Sequence, residues 1–87
     1  MRLDVKPFRA DCTDKEAALK PLEEAAEVYA AWQVLSENPG DSAVSRWSAD
    51  ELADCVTACC NLADRYGLDL QAALDRVEKR NKERGRY

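Results

Sequence analysis

Histidine is missing from this 87-residue chain, and glycine and proline each occur only three times. Without histidine no mixed Cys/His metal site can form. With so few glycines and prolines there is little to interrupt regular structure, and Ala, Leu, Glu, Arg and Lys dominate the remainder, which is the composition of a helix former. No strand signal, internal repeat or low-complexity segment is present. No apolar run approaches the length needed to cross a bilayer. The first residues, Met1-Arg2-Leu3-Asp4-Val5-Lys6-Pro7, contain no apolar stretch of the kind a secretory leader carries, so a cytoplasmic protein is expected. The length allows one domain, with a core so small that self-association is an ordinary way to stabilise it.

The net charge of −4 is unevenly spread. Residues 1–74 carry seven basic and fourteen acidic side chains, and residues 75–87 carry six basic and three acidic. An acidic body is a poor partner for nucleic-acid backbones. The basic end would suit a small anionic ligand held together with cations, but charge alone favours the plainer reading, a solvated helix end complementing its dipole. Cys12, Cys55, Cys59 and Cys60 fit neither a zinc knuckle nor a small disulfide framework. They read as small buried hydrophobes in a reducing compartment.

Residues 1–13 form an arm without periodicity, followed by a single helical domain over 14–87. Thr13-Asp14-Lys15-Glu16 is a capping box, predicting a helix from Asp14 to about Leu35 with a kink or break at Pro21. Glu37 to Ser42 is a turn and loop. Ser48-Ala49-Asp50-Glu51 is a second capping box, predicting a helix to about Tyr66 with Gly67 beyond its end. Asp69 caps a third helix, Leu70 to about Arg84. At about 100° per residue, the first helix is apolar nearly all round, with Leu22, Ala25, Ala26, Val28, Tyr29, Ala30, Ala31, Trp32, Val34 and Leu35. Such a helix is normally surrounded, and three helices cannot enclose it. The expected fold is therefore an all-α bundle completed by homo-oligomerisation.

Two carboxylate clusters stand out. Glu23, Glu24 and Glu27 lie within an arc of about 100° on the first helix, and Glu51 and Asp54 lie about 60° apart on the second. Hard cations take oxygen ligands, and carboxylates on facing bundle helices can supply them. The first cluster is equally explained as a wet face, because it holds almost the only polar residues of its helix. The second is harder to dismiss: Glu51 and Asp54 share their side with Ala58, Leu62 and Cys55, with Asn61 and Arg65 in line below. Thr57, Asp64 and Ala53 point to the solvent side. On the third helix the apolar stripe Leu70, Ala73, Leu74 and Val77 continues into Asn81, with Arg84 a turn beyond. That stripe fits a phosphate or nucleotide contact and a frayed helix end equally.

In this order and spacing, Glu23-Glu24-x-x-Glu27, Glu51-Leu52-Ala53-Asp54 and the run Lys79 to Tyr87 resemble the MazG-like family of all-α NTP pyrophosphohydrolases. The resemblance covers roughly residues 15–87. It implies Mg²⁺-dependent cleavage of an NTP or dNTP to a monophosphate and pyrophosphate. By position, Glu23, Glu24, Glu27, Glu51 and Asp54 would bind Mg²⁺, and one of the first three would activate the attacking water. Lys79, Asn81 and Arg84 would contact the nucleotide, and a homodimer or homotetramer would form. Trp32 and Trp47 are the candidates for stacking on a base. Trp32 fits the core better, while Trp47, just before the Ser48 cap, fits either role. Two other readings compete. A phosphoribosyl-ATP pyrophosphohydrolase has a similar acidic pattern, but a Tyr-His pair is expected after its ExxD aspartate, where this chain has Cys55-Val56-Thr57. The other is a non-catalytic helical module that binds a partner protein.

Overall fold

A computed structural model describes all 87 residues and contains three helices and no strand: α1 (Asp14–Glu37), α2 (Ser42–Arg65) and α3 (Leu70–Glu83). No helix is long and apolar enough to cross a membrane. The Thr13 capping box forms, with the Glu16 N–H donating to Thr13 Oγ1 and the Thr13 N–H to Glu16 Oε1, both at 3.2 Å. Asp69 caps α3 by accepting from the Ala72 N–H at 3.0 Å. The end of α2 is closed by Gly67 at φ +62°. There the Leu68 N–H donates to Ala63 O and the Gly67 N–H to Asp64 O, the pairing that a left-handed residue beyond a helix end permits.

Two expectations fail for local reasons. Pro21 does not break α1, which runs as one helix across that position. Proline removes a single donor, and the packing of α1 along α2 outweighs the loss. Nor is Ser48 a cap. The α2 helix begins two turns earlier at Asp41, whose carboxylate accepts from the N–H groups of Ala43 at 3.0 Å and Val44 at 3.1 Å. An aspartate taking two orphan donors directly after the Pro39-Gly40 turn outcompetes a serine further on. Ser48 is instead buried inside the helix, its Oγ donating to Val44 O at 2.8 Å.

The short 38–41 connection makes α1 and α2 antiparallel neighbours, with Asp14 beside Arg65, Pro21 beside Cys55 and Glu24 beside Asp54. The only buried apolar residues are Ala31, Ala58 and Ala63. Against expectation, Trp32 is 54% exposed, stacked on Tyr29 with ring centroids 5.7 Å apart, and Leu22 is 68% exposed. The α3 stripe is not buried either: Leu74 and Val77 face solvent, and α3 makes at most a marginal contact with α1 and α2. The radius of gyration is 15.2 Å, against about 12 Å for a compact chain of this length.

Asp41→Ala should lower the unfolding free energy by about 1–2 kcal/mol in urea titrations, as loss of a working cap does. Ser48→Ala should change it by no more than ~0.5 kcal/mol, because a serine bonding back to its own helix adds little. The reverse ranking would return the helix start to Ser48.

Candidate metal centre

Glu24 of α1 and Glu51 and Asp54 of α2 each offer a carboxylate oxygen, and these oxygens lie within 4.8 Å of one another. The antiparallel pairing produces this convergence. Glu24 sits on the α1 face that meets α2, seven residues from the buried Ala31, and Asp54 lies one turn from the buried Ala58. Small alanine side chains at the contact let the helices approach closely enough for carboxylates to meet across them. Glu24 is only 7% exposed, which is rare for a glutamate unless it is paired.

The pairing is incomplete. Lys20, one turn earlier on α1, places Nζ 3.1 Å from Glu24 Oε1 and 3.8 Å from Glu23 Oε2. The hydrogen bond to Glu24 raises the Lys20 pKa and keeps its ammonium charged. On α2, the Trp47 indole Nε1 donates to Glu51 Oε1 at 3.0 Å. Each glutamate therefore has one oxygen held, while Glu24 Oε2 and Glu51 Oε2 are buried with no hydrogen-bond partner. A buried, unpartnered carboxylate oxygen costs several times what a satisfied one does. Two at one point, beside a third carboxylate, form an all-oxygen donor set suited to a hard divalent cation such as Mg²⁺, Ca²⁺ or Mn²⁺.

Glu27 joins the same group. The proximity of the Glu51 carboxylate, with which only a protonated Glu27 could hydrogen-bond, and the charge of Glu24 hold its pKa above the ordinary carboxylate value. Like charges this close oppose full ionisation of the set. Glu23 stays at the rim, exposed and near Lys20. Of the five carboxylates named from the sequence, the structure thus gathers Glu24, Glu27, Glu51 and Asp54.

A cleft of about 550 Å³ opens beside the cluster. Its lining includes Lys20, Glu23, Glu24 and Asp54, further carboxylates at Glu16 and Asp64, the α2 residues Asn61, Leu62 and Arg65, and Phe8, Arg9, Ala10 and Cys12 of the arm. Thr57, expected to face solvent, also lines this cleft. Asn61 and Arg65, expected to extend a polar site, line this cleft and also hold the arm. Asn61 Oδ1 accepts from the Phe8 N–H at 2.9 Å, and Arg65 donates to Cys12 O at 2.7 Å and to Asp14 Oδ1 at 2.9 Å. Lys79, Asn81 and Arg84 of α3 are not among the residues lining this cleft. Trp47, a candidate base stacker from the sequence, here acts on Glu51, a contact that its i, i+4 spacing in a helix starting at Asp41 would have revealed. The arm residues gave no signal, having no periodicity to read.

No protein-family model, curated protein or solved structure matches the chain.

In chelator at pH 7.5, Glu27→Gln should melt above the wild type, because it removes one of the crowded charges. A carboxyl with a raised folded pKa contributes stability fully present below its unfolded pKa and lost as pH rises through the folded value. The advantage of the variant should therefore shrink as pH falls toward the ordinary carboxylate range. Thermal melts across pH 4.5–8 check this, and equal melting temperatures throughout would mean that the four carboxylates do not repel.

Proposed function

We propose that this chain is a Mg²⁺-dependent nucleoside triphosphate pyrophosphohydrolase of MazG-like type. The reading rests above all on the two unpartnered buried oxygens, Glu24 Oε2 and Glu51 Oε2, set beside Asp54. A set of ionised carboxylates that is unfavourable alone becomes favourable around a divalent cation. Bound Mg²⁺ would neutralise the triphosphate and lower the pKa of a coordinated water. Glu24, Glu51 and Asp54 would hold the cation, with Trp47 fixing the orientation of Glu51. Glu27, held above the ordinary carboxylate pKa by its acidic neighbours and left out of the three-carboxylate cation set, would accept the proton of the attacking water. Water would attack between the α- and β-phosphates, releasing the nucleoside monophosphate and pyrophosphate. Lys20 would exchange Glu24 for a phosphate oxygen once the cation has taken that carboxylate.

A second copy of the chain belongs to the proposal. The accessible surface is 7088 Å², about 2,000 Å² more than a compact monomer of this mass exposes. That surplus exceeds the roughly 800 Å² per partner that a standard stable interface buries, and the exposed surface includes large apolar residues such as Leu22, Tyr29, Trp32 and Leu74. In a homodimer or homotetramer the basic end of α3 would meet the acidic α1–α2 pair of another copy. Lys79, Asn81 and Arg84 would reach the nucleotide from there. Four free thiols suit a cytoplasmic protein. The same apolar surface would serve a non-catalytic module that binds a different protein, and activity separates the two.

Incubation with Mg²⁺ and a panel of NTPs and dNTPs should yield monophosphate and pyrophosphate. Glu51→Gln and Asp54→Asn should each lower kcat by more than ~100-fold, beyond what losing an outer-sphere partner costs. Release of orthophosphate, turnover of phosphoribosyl-ATP alone, or activity that survives both substitutions would reject the assignment. Light scattering should give a dimer or tetramer that Trp32→Glu dissociates. A monodisperse monomer at micromolar concentration would reject the second copy.

A further inference from the structure

The N-terminal arm is more than a loose leader to α1. Arg65 is nearly enclosed, its side chain 11% exposed, and it clasps the arm at Cys12, while Asn61 clasps it at Phe8. Between and beside these anchors lie Phe8 and Arg9, both lining the cleft that Lys20, Glu23, Glu24 and Asp54 also line. Three cations line this cleft, and they are not equivalent. Arg65 is paired with Asp14, and Lys20 with Glu24 and Glu23. Arg9 has no acidic partner within 4.0 Å. Next to it Phe8 is 60% exposed, although its N–H is anchored by Asn61.

We infer that the arm forms the nucleotide-binding wall of the site, with Arg9 binding a phosphate and Phe8 stacking on the base. This rests on the proposed function and adds to it two residues outside the helical motif. An unpaired guanidinium is suited to bidentate contact with phosphate oxygens. An exposed aromatic residue on an anchored backbone offers a stacking platform at little entropic cost. Glu24, which lines the same cleft and has the unpartnered Oε2, would supply the cation end of that ligand. A cleft lined by carboxylates and also by an unpaired arginine and an exposed aromatic residue matches a metal-chelated polyphosphate bearing a base. It matches neither a free anion, which the carboxylates would repel, nor an apolar molecule. The arm is thereby a specificity element as well: phosphate is read by Arg9 and the presence of a base by Phe8.

The test is calorimetric titration of the full chain with three probes: MgCl₂ alone, Mg²⁺ with inorganic tripolyphosphate, and Mg²⁺ with the non-hydrolysable α,β-imido analogues of the four nucleoside triphosphates. Phe8→Ala should weaken the best-bound nucleotide at least about fivefold, the lower end of base–aromatic stacking, and leave tripolyphosphate and Mg²⁺ unchanged. Arg9→Gln should weaken nucleotide and tripolyphosphate alike, about tenfold, and leave Mg²⁺ unchanged. Both side chains are exposed, so matching melting curves will show that the fold is retained. Wild-type nucleotide affinity in both variants would overturn the inference and leave the proposed hydrolase standing. A wild-type chain that binds Mg²⁺ but no nucleotide analogue would overturn both.

Discussion

The packing of α1 on α2 around the buried Ala31 and Ala58 forces Glu24 and Glu27 against Glu51 and Asp54. Apolar burial at these alanines is modest, so the contact gains little from area and much from closeness. Closeness in turn confronts four acids with one another. Only Lys20 and Trp47 answer them, and each satisfies a single oxygen. What remains is a pair of buried orphan oxygens and a glutamate pushed toward its protonated form. A fold selected for stability alone would place alanine or leucine at such positions, since replacing buried charge by apolar groups is often neutral or stabilising. Retaining the acids makes chemical sense if a cation completes them.

The exposed apolar surface follows from the same economy of helices. Two helices and a detached third cannot cover both faces of α1 and the stripe of α3. Leu22, Tyr29, Trp32, Leu74 and Val77 therefore remain in solvent in the single chain. The charge asymmetry runs the same way, with acids on α1 and α2 and bases at the end of α3. An association of copies that buried the stripe of α3 would also bring bases toward acids, so apolar and electrostatic terms would favour one arrangement.

Much of this was legible in the sequence where the signal was local. Thr13 with Glu16, Asp69 and Gly67 each act within one turn, and each behaves as its residue type dictates. Signals that depend on competition were not. Ser48 looked like a cap until Asp41, nearer the turn, took the role with two bonds, and Pro21 looked like a break until a neighbouring helix held α1 together. The site was legible in outline, because Glu51 and Asp54 beside Ala58 already pointed inward. Which of Glu23 and Glu24 turns toward α2 could not be read, since it depends on the rotation of α1 against its partner. Phe8 and Arg9 were invisible for a different reason: a segment without periodicity takes its place only from distant anchors, here Asn61 and Arg65.

The measurement that bears most directly on the proposed metal centre is anomalous diffraction from crystals grown with Mn²⁺, a hard cation with strong anomalous signal and an appetite for the same oxygens. A single strong peak should appear between Glu24 Oε2, Glu51 Oε2 and Asp54, with the Lys20 ammonium moved away from Glu24. Crystals at millimolar Mn²⁺ that show no peak there, with Lys20 still bound to Glu24, would contradict the metal centre and the hydrolase built on it.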